Sequence, residues 1–147
     1  MSGTRPFHLA IAVDDLEQAR RFYSEKLGCV EGRSSSRWVD FDFFGHQLVC
    51  HLDQRGESAE ELKNPVDGNA VPVPHFGVIL TMENWKTLRD NLLSAATDFV
   101  IEPRIRFEGQ TGQQATMFFT DPSGNALEFK AFDDDRQIFE KNHDQGI

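Results

Sequence analysis

The feature that most constrains this chain is an internal repeat. A short apolar run of β-prone residues opened by a histidine begins near His8, and a second one begins at His75. Each run is followed by a segment with apolar residues at helical spacing and then by several strand-like segments. The sequence therefore predicts an α+β fold built from two βαβββ modules. Within one domain, the expected parts are module one over residues 6–52, a linker over 53–72, module two over 73–132 and a tail over 133–147.

Charge and length narrow the function classes. A chain of 147 residues is long enough to form a stable hydrophobic core without disulfides or structural metals. A formal net charge of −9 argues against duplex nucleic acid and anionic membrane surfaces, which favours a small-molecule partner. No apolar run approaches the ~18 residues of a membrane span, and a cytoplasmic protein is expected. Cys29 and Cys50 lack metal-ligand spacing and are predicted to be reduced, partly buried thiols.

Local patterns predict the individual elements. In module one we expect a strand over 7–13 that is covered on both faces, a helix over 16–27, a short strand over 29–31, a hairpin over 38–44 and 47–52, and then a loop that is partly helical at 58–63. In module two we expect a strand over 75–81, a helix over 82–96, strands over 99–108, 114–120 and 126–132, and a short helix over 137–142. Trp85, Leu88, Leu92 and Leu93 should form the inner face of the second helix.

His8, His75 and Glu128 are the candidate metal ligands. Each lies on a predicted strand between apolar neighbours, where an unpartnered imidazole or carboxylate is costly. Two neutral imidazoles and one carboxylate suit a divalent first-row metal and leave coordination positions open. Strand alternation also places Lys130 beside Glu128. The alternatives are hydrogen-bonded core histidines and a solvated glutamate.

His51 is the candidate catalytic residue. It lies in the last strand of module one, as Glu128 does in module two, so the repeat suggests that it lies near the same site. Three roles stay open: a fourth ligand, a general acid or base, and a polar strand residue.

Four further residues are candidates for binding substrate. Alternation places Asp42 and Gln47, together with Asp40, on one face of the first hairpin, and it places Arg104 and Arg106 on one face of a later strand. The arginines are suited to hold a carboxylate or phenolate. Solvated strand edges are the alternative for each residue.

Three segments carry a resemblance to a known family. Residues 7–16, the restart at 74–77, and residues 119–129, which contain Asp-Pro-Ser-Gly-Asn before the strand of Glu128, resemble the vicinal oxygen chelate superfamily. That superfamily includes glyoxalase I, bleomycin resistance proteins and extradiol dioxygenases. Residues 38–51, 99–103 and 106–109 are most similar to small bacterial proteins described as predicted extradiol-type dioxygenases.

The resemblance implies paired modules forming a cupped mixed sheet around a divalent metal, often in a homodimer. It places His8, His75 and Glu128 on the ligand positions of the family, and His51 where glyoxalase I supplies a glutamate. The implied activity is an oxygenase that uses iron(II) to cleave the ring of a catechol-like molecule. The alternatives are a lyase or isomerase using nickel, zinc or manganese through an enediolate, and a non-enzymatic binder of the resistance type.

Overall fold

A computed structural model describes residues 3–53, 62–66 and 69–141 of this chain. These residues divide into two compact units. The first contains the described residues up to 53 together with Asp121–Asn125, and the second contains 62–66, 69–120 and 126–141. Each unit corresponds to one copy of the repeat, apart from the Asp121–Asn125 turn, which groups with the first.

The first unit is one βαβββ module. Its strands are β1 (His8–Val13), β2 (Val30–Ser34), β3 (Trp38–Phe43) and β4 (His46–Leu52), in the sheet order β1-β4-β3-β2. Helix α1 (Leu16–Arg20) continues into a π-helical turn over Arg21–Lys26. Asp15 caps α1, because its side chain accepts a hydrogen bond from the Gln18 N–H. The apolar residues at helical spacing are buried in the core: Ala19, Phe22, Tyr23 and Leu27.

The second unit repeats this plan. Two short strands, β7 (His75–Phe76) and β8 (Ile79–Leu80), precede helix α2 (Met82–Ser94) and the strands β9 (Phe99–Arg106), β10 (Gln114–Thr120) and β11 (Ala126–Phe132). The sheet order is β7-β11-β10-β9, with β8 also pairing with β11. In the first unit β1 runs parallel to β4, and in the second unit β7 and β8 run parallel to β11. The predicted repeat and the α+β fold class are therefore confirmed.

The segment predicted to be a loop contains a hairpin. Strands β5 (Leu62–Val66) and β6 (Asn69–Val73) pair antiparallel, with Asn64 opposite Val71. The expectation of a loop is thus wrong for these residues, because Asn and Pro residues obscured the strand pattern. Leu62 and Lys63 are extended, which contradicts a helix there, whereas 58–61 lie outside the described residues.

Four other local predictions need correction. The strand expected over 75–81 is broken between β7 and β8, and α2 ends at Ser94 with Leu93 51% exposed rather than in the core. The exposed His8, Ala10 and Ala12 show that β1 is covered on one face only. The described part of the tail holds a 3₁₀ turn at Asp135–Gln137 and no helix over 138–141, whereas residue 142 lies outside the described residues. No described helix is long and apolar enough to cross a bilayer.

Both cysteines are free and buried. Burial raises the pKa of each thiol, Cys29 and Cys50, to about 12. Thiols with such a pKa are protonated at neutral pH, so neither is a nucleophile or a metal ligand in its present surroundings.

The buried side chain of Asp121 stabilises the Asp121–Asn125 turn of the first unit through hydrogen bonds. Asp121 accepts hydrogen bonds from the backbone N–H groups of Ser123 and Asn125, from the Asn125 side chain, and from the Tyr23 hydroxyl at 2.8 Å. The Asn125 amide also donates to the carbonyl of Ala12 on β1. Burial raises the pKa of Asp121 despite these donors, and it also raises the pKa of Tyr23. The Asp-Pro-Ser-Gly-Asn sequence therefore has a structural role, because its hydrogen bonds join the turn to Tyr23 and to β1.

Replacing Tyr23 with phenylalanine should destabilise the protein by about 2 kcal/mol, because a buried carboxylate loses a donor. The donor favours the ionised form of Asp121, so the loss should shrink as the pH falls through the pKa of Asp121 and the carboxyl becomes protonated. Urea unfolding at neutral and acidic pH measures both effects. A loss below about 0.5 kcal/mol at neutral pH would contradict this role.

Candidate metal centre

His75 and Glu128 lie side by side in the second unit. Strand β7 pairs with β11 so that His75 is opposite Ala126, two residues before Glu128. The Nε2 atom of His75 is 3.4 Å from Oε1 of Glu128, and the two side chains are 30% and 16% exposed. Nδ1 of His75 lies 2.7 Å from the carbonyl oxygen of Pro72. A carbonyl only accepts, so Nδ1 carries a proton, and in the neutral imidazole Nε2 then holds the lone pair that can bind a metal.

Glu128 is held from its other oxygen. The hydroxyl of Thr116 on β10 donates to Oε2 at 2.6 Å, while Lys130 Nζ is 3.9 Å from Oε1. The flanking residues Leu127 and Phe129 are buried, and the carbonyl of Phe129 accepts a hydrogen bond from the indole of Trp85 on α2. Strand alternation therefore directs Glu128 away from α2, as the sequence predicted.

Gly77 lies in the break between β7 and β8. Gly77 packs directly against the backbone of Glu128, where a Cβ atom on Gly77 would overlap the carbonyl oxygen and carbon of that residue. Glycine at this position allows the strand of His75 to approach β11 closely. The Pro74-His75-Phe76-Gly77 segment thus sets the separation of the imidazole and the carboxylate.

Removing the Thr116 hydroxyl should weaken metal binding without unfolding the protein. Valine at 116 keeps the shape but leaves Oε2 of Glu128 without its donor, and partners of this kind change metal affinity by roughly 10–100-fold. Zinc titration by calorimetry measures the effect, with Thr116→Ser as the control that keeps the hydroxyl. Equal affinity in the valine and serine variants would contradict the assignment.

His8 is oriented by a different contact in the first unit. Its Nδ1 lies 2.8 Å from Oε1 of Gln47, the residue opposite it on β4. Gln47 in turn donates from Nε2 to Oδ2 of Asp40 at 3.3 Å. His8 and His75 therefore share one arrangement: Nδ1 bonds inside the unit and Nε2 keeps its lone pair. Metal-bound histidines are held in this way.

The three predicted ligands fall in different units. Within the residues that the structure describes, no cluster of three or more His, Cys, Asp or Glu side chains could hold a metal ion. His75 and Glu128 are brought together, and His8 lies in the other unit. The chemistry of the donors nevertheless fits a divalent metal, since the two imidazoles have their Nε2 lone pairs available and Glu128 presents Oε1.

His51 lies on β4 opposite Ala12 and is exposed. It lines an open groove of about 670 Å³ in the first unit, together with Ala10, Ile11, Ala12, Arg37, Leu52 and Asp53. The strand registers do not make it the counterpart of Glu128. His8 is opposite Gln47 and His75 is opposite Ala126, so the position matching Glu128 is Val49, and His51 matches Lys130.

The four predicted substrate-binding residues have different surroundings. Asp42 accepts a hydrogen bond from the Gly45 N–H in the β3–β4 turn, and Gln47 bonds to His8 and Asp40. Arg104 lies opposite Thr116, which lies opposite Lys130, so this row crosses β9, β10 and β11 beside Glu128. Arg106 lies opposite Gln114, with its guanidinium 5.2 Å from the ring centre of Phe107. Of the other histidines, His46 accepts from the Phe7 N–H, and His143 lies outside the described residues.

Sequence signals did not identify Thr116, Gly77 or Asp40 as parts of these sites. The only available signal was parity: Thr116 shares a face with Glu128 only once β10 and β11 are in register. Gly77 packs against Glu128, which is distant in sequence, and Asp40 depends on the pairing of β3 with β4.

Comparison with known proteins shows the family of this chain. Residues 5–129 match the model of the Glyoxalase/Bleomycin resistance protein/Dioxygenase superfamily. The chain belongs to this superfamily. A member from Alicyclobacillus acidocaldarius, described as a glyoxalase/bleomycin resistance protein/dioxygenase, is 36% identical, with a TM-score of 0.73 over 95% of this chain and 100% of that one.

More distant members of the superfamily share the fold. Lactoylglutathione lyase from Agrobacterium tumefaciens is 16% identical with a TM-score of 0.60, and covers 89% of this chain and 96% of its own. The fosfomycin resistance protein of Listeria monocytogenes has the same identity and TM-score over 89% of this chain and 93% of its own. No curated protein matches this chain.

Proposed function

We propose that this superfamily member is a metal-dependent oxygenase that cleaves the ring of a catechol-like small molecule. Iron(II) is the metal, and His8, His75 and Glu128 are its protein ligands, supplied by one chain or by two copies in a homodimer. The observation that carries the proposal is the proximity of two potential metal donors: His75 Nε2 and Glu128 Oε1 are 3.4 Å apart, and the carbonyl of Pro72 keeps a proton on Nδ1 of His75.

The donor set favours this chemistry. Two histidines and one carboxylate are the ligands of many non-haem iron(II) oxygenases, and they leave positions open for substrate and dioxygen. When bound, iron(II) supplies a Lewis acid for the two vicinal oxygens and an electron source for dioxygen. Thr116 and the Pro72 carbonyl hold Glu128 and His75 so that these side chains need little reorganisation on binding.

The charges beside Glu128 suit an anionic substrate. Lys130 is half exposed and 3.9 Å from Oε1, and Arg104 lies two strands away in the same row. Both cations favour the deprotonated form of a catechol, because opposite charge stabilises the phenolate. Lys130 and Arg104 thereby orient the substrate, and Arg106 extends the cationic row along β9.

His51 is proposed as the acid–base residue. It is exposed, shares the groove with Arg37, and lies on the same face of its sheet as His8, because it is opposite Ala12, four residues after His8 on β1. An imidazole accepts and returns a proton near neutral pH, as removal of a hydroxyl proton from a catechol requires. Asp42 and Gln47 bind groups inside the first unit, so the substrate contacts are assigned to the cationic row.

Oxygen uptake tests the proposal directly. Protein reconstituted with iron(II) under anaerobic conditions is mixed with a panel of catechols in an oxygen electrode, while absorbance follows the ring-cleaved product. We expect one dioxygen consumed per catechol, no uptake by the zinc-loaded protein, and a lower turnover number with unchanged iron content in His51→Gln. Light scattering checks the dimer.

Two results would replace the proposal. Turnover of a non-aromatic substrate with zinc, nickel or manganese, in the absence of oxygen uptake, would establish the lyase or isomerase alternative. Failure to bind any divalent metal would leave a non-enzymatic binder.

A further inference from the structure

A three-residue hydrogen-bonded chain ends on His8 in the first unit. Asp40 on β3 accepts a hydrogen bond from Nε2 of Gln47 on β4, and Oε1 of the same amide lies 2.8 Å from Nδ1 of His8 on β1. The three residues lie on adjacent strands β3, β4 and β1 of one sheet, and Asp40 is two residues from Asp42, the residue opposite Gln47.

The direction of this chain follows from which groups donate. A carboxylate only accepts, so the amide must turn its NH₂ group towards Asp40 and its oxygen towards His8. An amide oxygen also only accepts, so Nδ1 of His8 must carry a proton. A neutral imidazole with a proton on Nδ1 has its lone pair on Nε2, which is the atom free to bind a metal.

Asp40 is the buried end of this hydrogen-bonded series of three side chains. It is 7% exposed although it is a charged residue, and its Oδ1 has no hydrogen-bond partner among the described residues. Gly32 on β2 lies against this carboxylate, where a Cβ atom would overlap Oδ1. The sheet therefore accommodates a buried carboxylate whose side chain, among the described residues, accepts its hydrogen bond from Gln47.

We propose that Asp40 and Gln47 are positioning residues that fix the tautomer of His8, so that Nε2 is the metal-binding atom. This inference rests on the proposed metal site, and it adds two residues that do not touch the metal. In the second unit the backbone carbonyl of Pro72 accepts from Nδ1 of His75, so one backbone acceptor replaces the two side chains that act on His8. The two modules thus reach one imidazole tautomer by different means.

Nitrogen NMR of the metal-free full chain tests the tautomer independently of activity. At pH 8 we expect His8 of the wild type to be protonated at Nδ1 and unprotonated at Nε2. Asp40→Asn removes the obligatory acceptor, so the Gln47 amide can reverse and the two tautomers should mix. Zinc affinity, measured by calorimetry, should fall by roughly 10–100-fold.

A double variant provides the matched rescue. In Asp40→Asn combined with Gln47→Glu, the new amide donates to the new carboxylate, whose other oxygen accepts from His8 Nδ1–H. The net charge equals that of the wild type, and we expect the single tautomer and zinc affinity within about threefold of wild type. Glu31→Gln, which removes a carboxylate bonded to Arg20 in the same unit, is the control for charge alone.

Failure of the two proposals would look different. An unchanged His8 tautomer in folded Asp40→Asn, or no rescue in the double variant, would overturn the positioning role even if the metal site exists. A wild type with the expected tautomer but no zinc binding would overturn the metal site and leave the tautomer assignment standing. If Asp40→Asn does not fold, Gln47→Leu at the exposed middle residue of the hydrogen-bonded chain decides, because His8 then loses its acceptor and should lose its single tautomer.

Discussion

Protein carrying Glu128→Ala should be isolated without its metal and should show no oxygen uptake with any catechol. Glu128 is the carboxylate beside the free Nε2 of His75, and its loss removes both the anionic donor and the acceptor of the Thr116 hydroxyl. Loss of a partner of a ligand costs about 10–100-fold in affinity, so loss of the ligand itself should exceed about 100-fold. Metal content of protein purified without chelator, followed by zinc calorimetry, measures this.

The controls separate metal loss from misfolding. Glu102 is an exposed glutamate on β9 of the same sheet, so Glu102→Ala makes the same substitution away from His75 and should retain about one metal per chain. His75→Ala should behave like Glu128→Ala, since the two side chains are neighbours. Metal content equal to wild type in folded Glu128→Ala would refute the ligand assignment.

Among glycine-to-alanine substitutions at the described glycines of the second unit, Gly77→Ala should be the most destabilising. The new Cβ would overlap backbone atoms of Glu128, and a backbone carbonyl cannot rotate away as a flexible side chain can. Overpacking of this kind costs about 3 kcal/mol. At temperatures where the variant stays folded, metal affinity should also fall, because β7 can no longer hold His75 at its distance from β11.

Gly112→Ala is the matched control. Gly112 has a positive φ of 89° and open space around its Cα, so alanine there costs backbone strain of about 1–2 kcal/mol and no overlap. Urea unfolding of both variants gives the ranking, and zinc calorimetry should show reduced affinity only for Gly77→Ala. Equal stabilities, or full metal affinity in folded Gly77→Ala, would show that the close approach at Glu128 is unimportant.

Most of the fold could be predicted from local patterns. Strands β10 and β11 have the predicted bounds, and α1, α2 and the β3–β4 hairpin begin within a residue of their predicted starts. These elements have clean two-residue or helical periodicity, which depends only on neighbouring residues. The β5–β6 hairpin was missed because Pro and Asn residues interrupt its alternation, and its pairing depends on a partner strand.

The candidate site was partly predictable for the same reason. Parity alone placed Lys130 beside Glu128, and the structure confirms the contact. Parity could not place His51, because its match to Glu128 depended on the register of β1 against β4, which instead aligns Val49 with that position. The positions of Asp42 and Gln47 on one face say nothing about what their side chains bind, and the structure shows a turn and a histidine as their partners.

The sequence by itself determined that the chain is a repeated βαβββ unit, with a histidine opening each copy and a glutamate on the final strand. Tertiary structure alone decided which nitrogen of each histidine is free, that Thr116 holds Glu128, and that Gly77 permits the approach of β7. Periodicity is a property of neighbouring residues. Tautomers and close contacts are set by hydrogen-bond partners and by steric contacts that exist only once the chain has folded.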